Sequence, residues 1–195
     1  MDREFWNKRY AGSELVWTAD ANRFLVEEAA GLEPGRALDL ACGEGRNAVY
    51  LAERGWQVMG VDFADAGLAK AAKLAAERDV SVDWIQADLA EYVPEPEAFD
   101  LVAVLYLHLR APELRPILAA AAAAVAPGGV LLVVGHDSSN PAEGTGGPQD
   151  PAILFTPDEV AAELPGLRID RAERVRRPVG DAYAIDALVR ATRDS

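Results

Sequence analysis

Short apolar runs alternate along most of the chain with longer segments whose apolar residues recur at helical spacing. Arg36 to Ala41, Gln57 to Val61, Val82 to Gln86, Phe99 to Leu107 and Val130 to Val134 read as strands. Between them, residues 46–54, 64–78 and 112–125 read as helices. In the first of these, Ala48, Leu51 and Ala52 share a face, and Gly55 closes it. Pro112 stands near the first turn of the last, a place that suits proline. Apolar strands alternating with helices predict an α/β fold with a parallel sheet covered on both sides.

The ends of the chain differ from this pattern. Residues 2–11 predict a short helix, and Thr18 or Asp20 is placed to cap a second one running to about Ala30. After the fifth strand comes a polar, Gly- and Pro-containing stretch over residues 136–155, and a loop of this length is usually functional or disordered. Thr156, Pro157 and Glu159 then set cap, first turn and capping box for a further helix. Leu167 to Val175 and Tyr183 to Ala191 alternate as two strands and predict a terminal antiparallel pair.

At 195 residues the chain predicts one domain. Its formal charge of −13 disfavours nucleic acid and anionic membrane surfaces, which select basic stripes. No apolar run approaches the ~18 residues that span a bilayer, and the first residues are charged rather than leader-like, so a cytosolic protein is expected. Cys42 is alone, and the histidines are two, His108 and His136, which leaves no cysteine cluster and no three-histidine zinc site. Sixteen of the basic residues are Arg and three are Lys. With the many alanines, this suggests a GC-rich bacterial source.

The chemistry concentrates where the first strand ends. Gly43 and Gly45, followed by Ala48, fit a turn at which backbone approaches a nucleoside ligand closely. Asp62 ends the second strand, 19 residues after Gly43, where a carboxylate can accept both ribose hydroxyls. Asp39 lies inside the first strand and Asp88 ends the third. A carboxylate at position 39 would repel a pyrophosphate and would welcome a cation. Three acids on three successive strand units therefore suit a phosphate-free, positively charged nucleoside, and S-adenosylmethionine (SAM) is one.

The ordered segments Leu38-Asp39-Leu40-Ala41-Cys42-Gly43-Glu44-Gly45, Val61-Asp62, Gln86-Ala87-Asp88-Leu89, Phe99-Asp100-Leu101-Val102 and Pro127-Gly128-Gly129 resemble the motifs of class I SAM-dependent methyltransferases. The resemblance spans about residues 36–135. It implies a Rossmann-like, seven-stranded mixed sheet in the order 3-2-1-4-5-7-6, with strand 7 antiparallel and helices on both faces. It divides the single domain into an N-terminal helical cap (1–31), a SAM-binding core (36–135) and a substrate loop with C-terminal strands (136–195). Gly43 and Gly45 would face the methionine moiety, with Asp39 near its amino group, Asp62 at the ribose and Asp88 at the adenine. Ala41, Arg46, Asn47, Phe63, Ala87, Leu89 and Leu105 complete the implied cofactor set. Gly45-Arg46-Asn47 and Phe5-Trp6-Asn7-Lys8-Arg9-Tyr10 are similar to the tellurite-resistance and thiopurine-type branch, in which a helix of this kind caps the cofactor. Trp6 and Arg9 share a helix face. Arg9 is placed to bind the SAM carboxylate, although Trp6 and Tyr10 would equally serve to staple the helix to the core.

Methyl transfer is an in-line displacement in which much of the rate can come from positioning. An ionised acceptor needs no base, whereas a phenol or neutral amine could use one. His108, just past the fourth strand, is the candidate base or substrate contact; His136, Asp137 and Trp17 are further candidate substrate contacts. No motif requires a metal. Cys42 reads as packing. The cluster Arg168, Arg171, Arg174, Arg176 and Arg177 reads as a solvated strand face or as an anion contact. Two rivals remain: a non-catalytic SAM- or metabolite-binding module, and an NAD(P)-dependent reductase.

Overall fold

The computed structural model describes residues 2–195. Its seven strands are β1 (Arg36–Leu40), β2 (Gln57–Asp62), β3 (Asp83–Gln86), β4 (Phe99–Leu105), β5 (Val125–His136), β6 (Arg168–Val179) and β7 (Ala182–Thr192). The helices are α1 (Arg3–Tyr10), α2 (Arg23–Ala29), α3 (Arg46–Ala52), α4 (Asp65–Glu77), α5 (Ala111–Ala124), α6 (Asn140–Glu143) and α7 (Pro157–Ala161). The strands form one sheet in the order β3-β2-β1-β4-β5-β7-β6. β1, β2 and β3 pair in parallel, and β7 runs antiparallel to both β5 and β6. This is the Rossmann-like mixed sheet that the motifs imply.

Contacts divide the chain into two compact units. One holds the residues up to Val93 together with Phe99–Ala103, and the other holds Pro94–Ala98 and Val104–Ser195. β4 contributes to both. In the first unit, Ala37, Leu38 and Val61 are fully buried, as expected of strands covered on both faces. The backbone N–H of Arg36 donates to the Asp100 carboxylate at 2.7 Å, tying the start of β1 to β4. In the second unit, β5 buries Leu131, Leu132 and Val134, and β7 buries Leu188 and Ala191. Arg193 closes the end of α5 by donating to the carbonyls of Val125 (2.6 Å) and Ala122 (2.8 Å).

Several boundaries differ from the sequence expectation. The second helix begins at Arg23, not after Thr18 or Asp20, because the Asn22 side chain caps it by accepting from the N–H groups of Phe24 and Leu25. β4 stops at Leu105 rather than Leu107 because Tyr106 turns left-handed (φ 59°). The stretch 136–155 is not one loop: it contains α6 and a 3-10 turn at Pro151–Ile153. The capping box at Thr156 and Glu159 forms as read. The terminal strands run longer than expected, with β6 reaching Val179 and β7 starting at Ala182. On β6 the arginines face acids, Arg168 on Asp170 and Asp194, and Arg171 on Glu173.

Candidate functional site

In the first unit the chain reverses after β1 through two left-handed residues, Ala41 (φ 60°) and Gly43 (φ 56°), and a third, Gly45 (φ 78°), starts α3. Asp62 holds the turn. One carboxylate oxygen accepts from Gly43 N–H at 2.9 Å and the other from Ala64 N–H at 2.8 Å. Burial pushes the Asp62 carboxyl up, while those two backbone donors pull it down. Asp62 is thus a brace for the glycine turn, a role the sequence did not suggest.

Asp39 is 1 % exposed, and its Oδ2 has no hydrogen-bond partner. Burial, reinforced by the neighbouring Asp62 charge, raises it to about 7, and Arg46 pulls the other way. Between Asp39 and Asp62 the Cys42 thiol is driven up, first by burial and then by both acids, so it remains a neutral packing group.

The glycines are needed for packing as well as for the turn. A Cβ on Gly45 would lie 2.6 Å from the Ala71 Cβ and 2.7 Å from the Trp84 ring. One on Gly43 would meet the Tyr10 hydroxyl at 2.9 Å. The bare Cα faces point at protein, which gives a structural reason for both residues that the motif reading lacked. Asn47 is similarly committed, because its side-chain oxygen accepts the Asn22 N–H at 2.8 Å. Arg46 donates to the Thr18 hydroxyl at 3.4 Å.

α1 caps this turn with aromatic rings. Trp6 stacks on Tyr10 (5.4 Å between centroids), and Trp17 stands 6.5 Å from Trp6. The Arg9 guanidinium lies over the Trp6 and Trp17 rings at 5.7 and 5.3 Å, a cation–π arrangement. Glu44, unremarked in the sequence, anchors the segment: its buried carboxylate accepts from Val16 N–H (3.0 Å), Trp17 N–H (3.1 Å) and Lys70 Nζ (2.9 Å).

A cleft of about 620 Å³ opens beyond β2 and β3, lined by Arg3, Phe63, Ala87, Asp88, Glu91 and Tyr92 among others. Phe63, Ala87 and Asp88, three of the residues expected at the cofactor, line it. Asp88 is exposed, and one of its oxygens accepts Ala90 N–H at 2.9 Å. Arg3, Glu91 and Tyr92 are additions without a motif of their own.

In the second unit, His108 stacks between His136 (5.3 Å) and Phe155 (6.2 Å). The backbone N–H of His136 donates to His108 Nε2 at 3.0 Å. Burial and the adjacent His136 depress His108 to about 4, against the Asp186 charge and a backbone hydrogen bond with Tyr106. The imidazole is therefore neutral and its lone pair is engaged. This geometry opposes the expectation of His108 as a base and gives it a positioning role. Asp137 is 1 % exposed, and one oxygen accepts from both Ser139 N–H (2.9 Å) and Ser139 Oγ–H (2.6 Å).

The sequence missed the centre of this unit. Asp186 is fully buried on β7. Its Oδ2 accepts from Tyr106 O–H and Arg177 Nε, each at 2.8 Å, and its Oδ1 lies 3.1 Å from His136 Nδ1. Arg177 leaves the supposed solvated arginine face to make this contact. The available signal was a lone carboxylate inside the apolar run Ala184-Ile185-Asp186-Ala187-Leu188-Val189, the same pattern that marks Asp39.

Residues 37–129 match the family described as "Methyltransferase domain". A ubiquinone biosynthesis O-methyltransferase from Hahella chejuensis is 34% identical over 55% of this chain and 45% of its own length. A demethylmenaquinone methyltransferase from Thermus thermophilus is 36% identical over 63% of this chain and 55% of its own. The chain thus spans about half the length of the curated relatives it matches. Among solved structures, the N-methyltransferase NodS from Bradyrhizobium japonicum, in complex with S-adenosyl-L-homocysteine, superposes with a TM-score of 0.76 at 16% identity, over 99% of this chain and 98% of that one. The family match thus spans residues 37–129, and the seven-stranded sheet shares the Rossmann-like fold of that solved structure.

Proposed function

We propose that the protein is a SAM-dependent methyltransferase acting on a small molecule. The observation that carries this reading is Asp39, a buried acid with an unpartnered oxygen beside a glycine turn. An orphaned buried carboxylate is costly unless a ligand completes it. The SAM ammonium suits that need, whereas a pyrophosphate would add like charge. Asp39 would hold the methionine end, directly or through a water; Asp62, the ribose; and Phe63, Ala87 and Asp88, the adenine. Arg9, Trp6 and Trp17 would cover the methionine carboxylate. Ala41, Gly43, Gly45 and Leu89 would shape the wall, and Arg46 and Asn47 would stiffen it.

SAM supplies an electrophilic methyl group on a leaving group that is already activated. What the chain adds is orientation and exclusion of water, the work for which a rigid turn braced by Asp62 is suited. The acceptor we propose is a small molecule, since the net charge of −13 disfavours nucleic acid. The named quinone-pathway relatives make phenolic acceptors the first to try; thiols, tellurite and selenite follow from the resemblance of the N-terminal helix. No helix among the described residues is long and apolar enough to cross a membrane, so the assays need no lipid to begin.

Parallel calorimetric titration with SAM, S-adenosylhomocysteine and NADH tests the reading. Micromolar binding of the two sulfur nucleosides, with NADH silent, is expected, followed by conversion of SAM to S-adenosylhomocysteine with an acceptor. Binding without turnover across all acceptor classes would favour a sensor module; NADH binding with SAM silent would overturn the assignment.

A further inference from the structure

α1 is fastened to α4 at two points. Tyr10, the one buried residue of α1, lies over Gly67 of α4, where a Cβ would come within 3.1 Å of the ring. The other point is polar. Arg3 and Asn7 stand four residues apart and so share a helix face. Both donate to the same oxygen of Asp65, Asn7 Nδ2 at 2.6 Å and Arg3 Nη2 at 3.2 Å. Those two hydrogen bonds hold the Asp65 carboxyl below its ordinary range. Asn7 also works in the other direction, its Oδ1 accepting the Ala66 N–H at 3.2 Å. α4 needs that acceptor, because its own N-cap is Ala64, which has no side-chain oxygen to offer.

This clasp adjoins the cleft beyond β2 and β3. Phe63, two residues before Asp65, lines the cleft, and so does Arg3 itself. The other charged side chains there are Asp88 and Glu91, and carboxylates only accept hydrogen bonds. An adenine ring needs both kinds of partner: its exocyclic amino group donates, and its ring nitrogens accept. Few side chains of the cleft can serve those nitrogens. Tyr92 gives its O–H to Met59 Sδ at 3.3 Å, and Gln86 Nε2 donates to the Phe63 carbonyl at 3.4 Å. Arg3 commits Nη2 to Asp65, and the rest of its donor fork has no partner among the described residues. Its planar guanidinium is also of the kind that stacks on aromatic faces.

We propose that Arg3 binds the purine of the cofactor, with Asp65 as the positioning residue that holds the guanidinium at the cleft. The inference rests on the SAM reading and adds a contact that no motif carries. It makes the docking of α1 and the filling of the cleft one linked equilibrium, in which each favours the other by the same factor. With side chains 57 % and 60 % exposed, Arg3 and Asp65 add little to folding as a pair. Removing either therefore reads on the ligand rather than on the core.

The test sets S-adenosylhomocysteine beside 5′-methylthioadenosine, which keeps the nucleoside and lacks the amino-acid end. By calorimetry on the full chain, Arg3→Ala should weaken both ligands by the same factor, about threefold to tenfold. Asp65→Ala should cost a similar factor, and the double variant little more than either alone. Asp65→Asn, which keeps an oxygen for Arg3 and Asn7, should recover most of the loss. Hydrogen exchange gives a readout without turnover: methylthioadenosine should slow amide exchange across α1 in the wild type and not in Arg3→Ala. A loss confined to S-adenosylhomocysteine overturns the proposal, because α1 would then act at the amino-acid end. Unchanged affinities in Arg3→Ala, additive losses in the double variant, or a wild type that binds S-adenosylhomocysteine and not methylthioadenosine overturn it as well. A wild type that binds neither ligand sinks the underlying SAM reading, and the proposal with it.

Discussion

His108 Nε2 accepts the backbone N–H of His136 at 3.0 Å, so a ring that looks like a base in the sequence is a fixed strut in the structure. Its folded-state value of about 4 lies below the ordinary 6.5. Between these limits the unfolded chain binds the extra proton. The contribution is therefore intact above pH 6.5 and drains away as pH falls towards about 4. The loss is on the order of 3 kcal/mol at about 1.4 kcal/mol per pH unit. Urea unfolding of wild type and His108→Gln across that window should show a shallower acid loss in the variant. Parallel curves would mean that His108 does not titrate this way.

Asp39 reverses the sign. In the free protein its carboxyl sits at about 7, and a cation placed against it would pull that value down. SAM binding below neutrality should release a proton, so affinity should climb as pH rises towards about 7 and then level off. Asp39→Asn should bind weakly with a flat profile. Calorimetry in two buffers of different ionisation heat reads the proton directly, and an affinity independent of pH in the wild type would remove Asp39 from the cofactor site.

Asp62 carries two duties, and its variants should show both. Asp62→Ala leaves the N–H groups of Gly43 and Ala64 without their acceptors. Stability should fall by about 1–3 kcal/mol, and SAM affinity should weaken by a similar factor. Denaturation midpoints and titration isotherms on the same preparations separate the two. Unchanged affinity with reduced stability would leave Asp62 as a brace alone.

Gly45→Ala tests the packing reading of the turn. The new methyl would press on Ala71 and Trp84 inside 3 Å, and the left-handed φ adds strain. A loss of about 1–3 kcal/mol is expected from crowding alone, measurable as a lowered unfolding midpoint without ligand. A neutral substitution would show that the close approach relaxes freely.

The strands and the first-unit acids were legible because each is local. An apolar run names a strand, and Asp39, Gly43 and Asp62 follow one another in motif order. The second-unit cluster was not legible in that way. Arg177 and Asp186 lie 71 and 80 positions after Tyr106 and meet it only because β7 folds back antiparallel between β5 and β6. Arg177 in particular sat among arginines that do face solvent acids, and period-two alternation does not distinguish which of them turns inward. Glu44 was hidden differently: a residue between two turn glycines reads as a spacer, and its partners at positions 16, 17 and 70 are remote in sequence.

That carboxylate has a kinetic consequence. Segments around Val16, Gly43 and Lys70 hang on a single buried anion, so none can detach without stranding charge away from water. Their amide protons should therefore exchange with solvent through one shared opening rather than by separate fraying. The rate at which the turn becomes accessible would then be set at Glu44, a residue that need never touch a ligand.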